Sequence, residues 1–229
     1  LVIASLNTPI ADKYLGYSTK KSYNAPIEIL TLLKELNVTA VTTATKNVLD
    51  KNEKGIKETI ENLEKENIKQ VGINHESRKD PLVISKNNIN IGILSYTTFS
   101  NVTMSEKNSY LVNIFDEEDL KKDVEYLKSQ NVDFIISYLT TNNEDVLMVD
   151  SEQKKITEKL FDAGVNIVLG TGSMVVQEAL DETTENGKRL YSIYSLGDFM
   201  GSYATDDNLF NVIANIEFKK FYGINDNNE

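Results

Sequence analysis

Short apolar runs rich in β-branched residues alternate with helix-period stripes over the first two thirds of this chain, and that rhythm restricts its fold more than any other feature. Residues 1–6 and 38–43 read as buried strands. Between them Ile29, Leu32, Leu33 and Leu36 recur at helical spacing behind Pro26, whose fixed φ suits a first helical turn. A β-α-β unit therefore opens the chain. The spacing predicts a second helix over 52–66, with Ile56, Ile60 and Leu63 on one face, and a short strand over 70–73. Residues 81–85 and 89–98 flank Lys86-Asn87-Asn88, whose asparagines suit a tight hairpin turn.

A third helix is expected from Asp116, whose side chain can cap free N–H groups while Glu117, Glu118 and Asp119 favour the positive end of the helix dipole. Leu120, Val124 and Leu127 form its buried face. Residues 132–139 read as the next strand, 151–163 as a fourth helix with Asp150 and Gln153 at capping-box spacing and Gly164 as its stop, and 166–169 as strand again. The last third departs from this rhythm. There 177–181 and 188–196 flank the hairpin signal Asn186-Gly187, and 210–218 alternates like a further strand. Repeated βα units followed by antiparallel hairpins predict an α/β fold with a mixed sheet or two sheets wrapped by helices. No linker, repeat or low-complexity stretch divides it, so one domain is expected over 1–222, with a flexible tail over 223–229.

Composition then limits the chemistry. The 229 residues include a single histidine, His75, and no cysteine, which excludes a polyhistidine metal site, thiol catalysis and disulfides. His75 sits in the polar stretch Gly72-Ile73-Asn74-His75-Glu76-Ser77 and reads as a loop residue rather than a ligand. With 24 basic against 35 acidic residues the net charge is −11, which repels phosphate backbones and argues against a nucleic-acid partner. No apolar run approaches the ~18 to 20 residues that span a bilayer. The chain opens on Leu1 inside an apolar run, so a longer protein carrying its own signal or anchor is the expectation.

In α/β folds ligands gather at loops beyond the carboxyl ends of strands. Those loops are Ser5-Leu6-Asn7-Thr8-Pro9, Ala44-Thr45-Lys46-Asn47-Val48-Leu49-Asp50, Thr140-Thr141-Asn142-Asn143-Glu144 and Gly170-Thr171-Gly172-Ser173-Met174, closed by Tyr194-Ser195-Leu196-Gly197-Asp198-Phe199. Their hydroxyls and amides, on Asn7, Thr45, Asn47, Thr140, Asn142, Thr171 and Ser195, are candidate binding groups for sugars or peptide-like chains. The same residues also suit ordinary loop structure. Gly170-Thr171-Gly172-Ser173 lacks the lysine and spacing of a phosphate-cradling loop. Asp206-Asp207 reads as a solvated turn.

Order and spacing together resemble the bacterial capsule-synthesis CapA/PgsA family, the poly-γ-glutamate capsule proteins, which have a calcineurin-like metallophosphoesterase fold. The resemblance runs from Leu1 to about Phe218. It rests on Ala44 through Asp50 with Gly55, Thr59-Ile60 and Leu63; on Val132-Asp133-Phe134-Ile135-Ile136 with Glu144; on Gln153 through Gly164; and on Val168-Leu169-Gly170, Val175-Val176-Gln177 and the closing segment. It implies an αββα sandwich whose N-terminal, Gly-Asp-bearing strand would precede Leu1. The family's site departs where ligands matter. Its Asn-Leu-Glu is Ser5-Leu6-Asn7, its Ala-Asn-Asn-His is Ala44-Thr45-Lys46-Asn47, its His-Trp-Gly is Thr140-Thr141-Asn142, and its Gly-His-His-Pro-His is Gly170-Thr171-Gly172-Ser173-Met174.

Asn47, Thr140, Gly172 and Met174 thus stand where the family places histidines, and Lys46 adds positive charge beside them. The expectation is an accessory, non-catalytic cell-surface protein of capsule or envelope polymer synthesis or export, with no metal or other cofactor. It would lie outside the cytoplasm, anchored through a segment beyond this sequence, and partner membrane-bound synthase components or an envelope polymer. A polyanionic polymer fits the charge poorly, so a protein partner is favoured. The alternative is a divergent hydrolase using Asp50, Glu144 and Asp198 around Mg²⁺ or Mn²⁺, which accept oxygen ligands. A stand-alone carbohydrate- or peptide-binding module is a third possibility. Turn structure is the ordinary role of Asp50 and Asp198.

Overall fold

The structure is a computed structural model and describes residues 1–201 and 206–221. Strands β1 (Ile3–Ser5), β2 (Ala40–Thr42) and β3 (Lys69–Val71) form a three-stranded parallel sheet in the order β1-β2-β3. Helices α1 (Ile29–Glu35) and α2 (Asn52–Lys65) are the crossovers between them. The remaining strands make a six-stranded mixed sheet: β4 (Leu82–Lys86), β5 (Ile89–Thr97), β6 (Phe134–Thr140), β7 (Ile167–Thr171), β8 (Ala179–Thr183) and β9 (Arg189–Ile193), ordered β4-β5-β6-β7-β9-β8. Its inner pairs are parallel, and antiparallel hairpins close both edges. Helices α3 (Glu117–Ser129) and α4 (Ser151–Ala163) carry the chain between β5, β6 and β7.

Period-two alternation in the central strands produces the layers. Ile91 and Ile93 of β5, Ile136 and Tyr138 of β6, and Ile167 and Leu169 of β7 face Ala40 and Val71 of the small sheet. Leu94, Tyr96, Ile135, Leu139 and Val168 point the other way, onto Leu120, Val124 and Leu127 of α3 and Ile156 and Leu160 of α4. Leu30 and Leu33 of α1 and Leu63 of α2 cover the outer face of the small sheet at Val41. Helices, sheet, sheet and helices therefore stack as an αββα sandwich. The expected fold class holds, and the leucine and isoleucine stripes of the helices are core.

Local signals explain the element ends. Asn87 and Asn88 take φ of 53° and 62° in the β4–β5 turn, the left-handed pair that the tight hairpin requires. Asp116 accepts from the N–H groups of Glu118 and Asp119 to start α3, and Gly164, at φ 120°, ends α4. Gly170 lies inside β7 because a Cβ there would sit 1.8 Å from the carbonyl oxygen of Tyr194.

Several expectations are corrected. The segment 210–218 is not a strand: Ala214, Ile216 and Phe218 pack on the inter-sheet core, so the alternation is real, but the backbone joins no ladder. The strand expected at 70–73 stops at Val71, where Gly72 turns at φ 124°. Residues 1–6 are only partly buried, with Leu1 and Val2 exposed. Gln153 does not reach back to its cap; its amide donates instead to the Tyr194 carbonyl at 2.7 Å, while Asp150 caps α4 through the Gln153 N–H. Thr140 and Thr171 end strands rather than lie in loops. The tail 223–229 lies outside the described residues.

Candidate functional site

The loops after β2 and β6 and the segment after β9 supply the charged groups around Lys46. The β2 loop is pinned at its start and middle: the Ala44 N–H donates to Ser95 Oγ at 3.2 Å, and the Lys46 carbonyl accepts from the Asn101 N–H at 3.0 Å. That anchoring aims the largely buried Lys46 side chain at Glu144, with which it forms an ion pair. Burial lowers the ammonium's pKa from its ordinary value, against the pull of Asp50, Asp198 and Asp145 in the other direction. Asp198 is pushed up by its own burial and then by Asp145, with Lys46 opposing. Among the described residues the Lys46 ammonium thus lies in the field of four carboxylates.

Of the three candidate acids, Glu144 pairs with Lys46, whereas Asp50 and Asp198 act on the same ammonium only through space. Asp50 also accepts from the Tyr23 N–H at 2.7 Å and lies 3.5 Å from Asn101 Nδ2, so it braces two loops. Glu144 is the most open of the three, with its side chain 41% exposed. Asp145 joins them and had no sequence signal apart from its adjacency to Glu144. Its backbone N–H donates to the Ser173 carbonyl at 2.8 Å, and its Oδ1 accepts from Asn208 Nδ2 at 2.9 Å.

The candidate binding groups divide by burial. Asn7 and Asn142 are exposed. Thr45, Asn47, Thr140, Thr171 and Ser195 are buried, with their polar atoms committed inside the fold. Thr45 Oγ1 donates to the Leu6 carbonyl at 3.3 Å, and Asn47 Oδ1 accepts from Asn101 Nδ2. Thr140 and Thr171 bond hydroxyl to hydroxyl at 2.9 Å across β6 and β7, and Ser195 Oγ accepts from the Gly197 N–H at 3.2 Å. They tie strand ends together. His75 lies apart, 3.9 Å from Glu76 in the loop after β3, and Asp206 and Asp207 are exposed on a 3-10 turn.

Residues 1–203 match the family described as bacterial capsule synthesis protein PGA_cap. The chain belongs to that family. Among curated proteins none matches it. Among solved structures it is similar to a 5'-nucleotidase precursor from Thermus thermophilus, at 14% identity and a TM-score of 0.50, over 73% of this chain and 35% of the other. It is also similar to the NAD nucleotidase NadN of Haemophilus influenzae, at 14% identity and TM-score 0.45, over 74% and 37% of the two chains. The sulfate thiohydrolase SoxB of Thermus thermophilus follows at 11% and 0.47, over 76% and 32%. The chain spans about a third of the length of these structures. The first likeness shows the fold alone: a metallophosphoesterase-type sandwich, as the layers also indicate.

A metal centre of the kind this fold implies does not fit the donors present. Among the described residues no three His, Cys, Asp or Glu side chains are grouped to hold an ion. The positions to which the resemblance assigns histidines hold Asn47, whose amide oxygen is taken by Asn101, Thr140, whose hydroxyl is taken by Thr171, and Gly172 and Met174. Lys46 already supplies a positive charge beside the carboxylates that remain, which disfavours a divalent cation.

Proposed function

We propose that this member of the capsule synthesis family acts as an accessory, non-catalytic protein in the synthesis or export of a capsule or related cell-envelope polymer, poly-γ-glutamate being the type the resemblance suggests. It works outside the cytoplasm at the cell surface, beside membrane-bound synthase components, and uses no metal. The observation that carries this reading is the Lys46–Glu144 ion pair at the end of the sandwich where the fold's chemistry belongs. Hydrolysis of a phosphoester by two metals needs ions to generate hydroxide and to hold both oxygens of the displacement. An ammonium can neutralise a carboxylate but has no open coordination position to offer water. The net charge of −11 further supports a protein partner over a polyanionic polymer. Among the described residues no helix is long and apolar enough to cross a membrane.

The test is elemental analysis of the purified protein after incubation with Mn²⁺ or Mg²⁺, together with phosphomonoesterase and phosphodiesterase assays. The expected result is no retained stoichiometric metal and no turnover. Stoichiometric metal together with turnover lost in Asp198→Asn would replace this reading by the hydrolase.

A further inference from the structure

Large apolar side chains stand exposed on three segments around the Lys46 cluster. Leu147 and Met148 follow β6, Phe199 and Met200 follow β9, and Leu209 and Phe210 lie just beyond; each is between 55% and 80% exposed. The segments are stitched into one surface. Asn208 Nδ2 donates to Asp145 Oδ1 at 2.9 Å, the Val212 N–H donates to the Leu196 carbonyl at 2.8 Å, and a Cβ on Gly197 would lie 2.7 Å from the Phe210 carbonyl oxygen. Single exposed apolar residues are ordinary on any protein surface. A contiguous group framed by charge marks a place where something binds.

The three segments themselves carry charge of one sign. Residues 144–148, 197–201 and 206–213 contain Glu144, Asp145, Asp198, Asp206 and Asp207 and no lysine or arginine. A second copy docked face to face would set acidic rim against acidic rim, and an anionic lipid surface would meet the same repulsion. The complement is a segment with an apolar stripe flanked by lysine or arginine, which an amphipathic helix presents at i, i+3, i+4 and i+7. Met148 and Met200, unbranched and polarizable, can adjust to such a stripe.

We propose that this acid-rimmed apolar surface, lying over the Lys46–Glu144 pair, docks a basic amphipathic helix of a partner protein. The proposal rests on the accessory reading and deepens it by giving the partner's chemistry.

The probe is a fluorescein-labelled amphipathic peptide of leucine and lysine, about 18 residues long, titrated with the protein at about 50 and about 150 mM salt and read by anisotropy. Saturable binding is expected at both salts, and the triple variant Leu147→Ser, Met148→Ser, Phe210→Ser should weaken it at least tenfold with an unchanged melting temperature. Asp206→Asn with Asp207→Asn should weaken it mainly at low salt, and a leucine–glutamate peptide of the same pattern should not bind. Equal binding by the triple variant would overturn the proposal, as would equal binding of the leucine–glutamate peptide. So would a dimer, or uptake onto anionic phosphatidylserine vesicles, that the triple variant abolishes. Metal and turnover can refute the accessory reading without touching these titrations, and a failed titration leaves the metal result standing.

Discussion

Two charged clusters in this molecule have similar ingredients and different balance. Between the large sheet and α3, Arg78 makes a bidentate pair with Asp123, 2.7 Å on each arm, and Tyr96 Oη donates to the same carboxylate at 2.5 Å. Asp123 and Tyr96 are buried. The guanidinium is held well above its ordinary pKa by its hydrogen bonds to Asp123, and the Tyr96 phenol is pushed far up by burial and then by Asp123. Each charge there has its partner. At the strand ends one ammonium, lowered by burial, serves Glu144, Asp50, Asp145 and Asp198. A balanced buried cluster is a structural rivet; an acid-rich one at the mouth of a fold retains field that another molecule can use.

The comparison is broken most directly at its rivet. Asp123→Ala removes the acceptor of the Tyr96 hydroxyl and leaves the Arg78 guanidinium only its 3.6 Å contact with Asp119, and should cost about 3 kcal/mol in urea unfolding, the lower end of the scale for removing one partner of a buried pair. A loss below about 1 kcal/mol would mean that this cluster is no better organised than the other. Tyr96→Phe, which leaves the bidentate pair intact, should cost about 1 kcal/mol. At the strand ends Lys46→Met keeps the buried stem but removes the charge. Because burial outweighs the pull of the carboxylates on the ammonium, the net change in stability should stay within about 1 kcal/mol in either direction. A cost as large as that of Asp123→Ala would make the Lys46 cluster a rivet too.

The smallest effect distinguishes the clusters by pH. Asp198 has a folded pKa above its ordinary 3.8, so the native state takes up the proton first as the medium is acidified. Its charged form detracts from stability above the folded value, and that penalty fades as pH falls through that value towards 3.8. Asp198→Asn should therefore stabilise by less than about 1 kcal/mol at neutral pH, with the gain vanishing near the ordinary carboxylate value. Melting temperatures of the two proteins across that range check it. A gain that grows on acidification would contradict the sign.

Much of this fold was readable beforehand because its signals are local. The asparagine turn at 87–88, the Asp116 cap, the Gly164 stop and the helix stripes each depend on neighbours a few residues away. Misreadings came where a distant group intervened. Gln153 has capping-box spacing, yet the Tyr194 carbonyl, 41 residues on, takes its amide. Residues 210–218 alternate like a strand because one face lies on the inter-sheet core, although no ladder receives them. The exposed run Val146-Leu147-Met148 went unread, although three consecutive apolar residues in an acidic loop mark either core or a binding face.

By itself the sequence determined the α/β alternation, the likeness to the capsule synthesis family and the presence of a single histidine, because periodicity and residue identity need no partner in space. Only the tertiary structure decided that Lys46 and Glu144, 98 positions apart in the chain, share an ion pair, that Asp145 and Asp198 join their field, and that Leu147, Met148, Phe199 and Met200 on the same loops stand exposed. Those facts depend on the strand order, which brings the carboxyl ends of β2 and β6 from different sheets to one end of the sandwich, where Coulomb and hydrophobic terms act through space rather than along the chain.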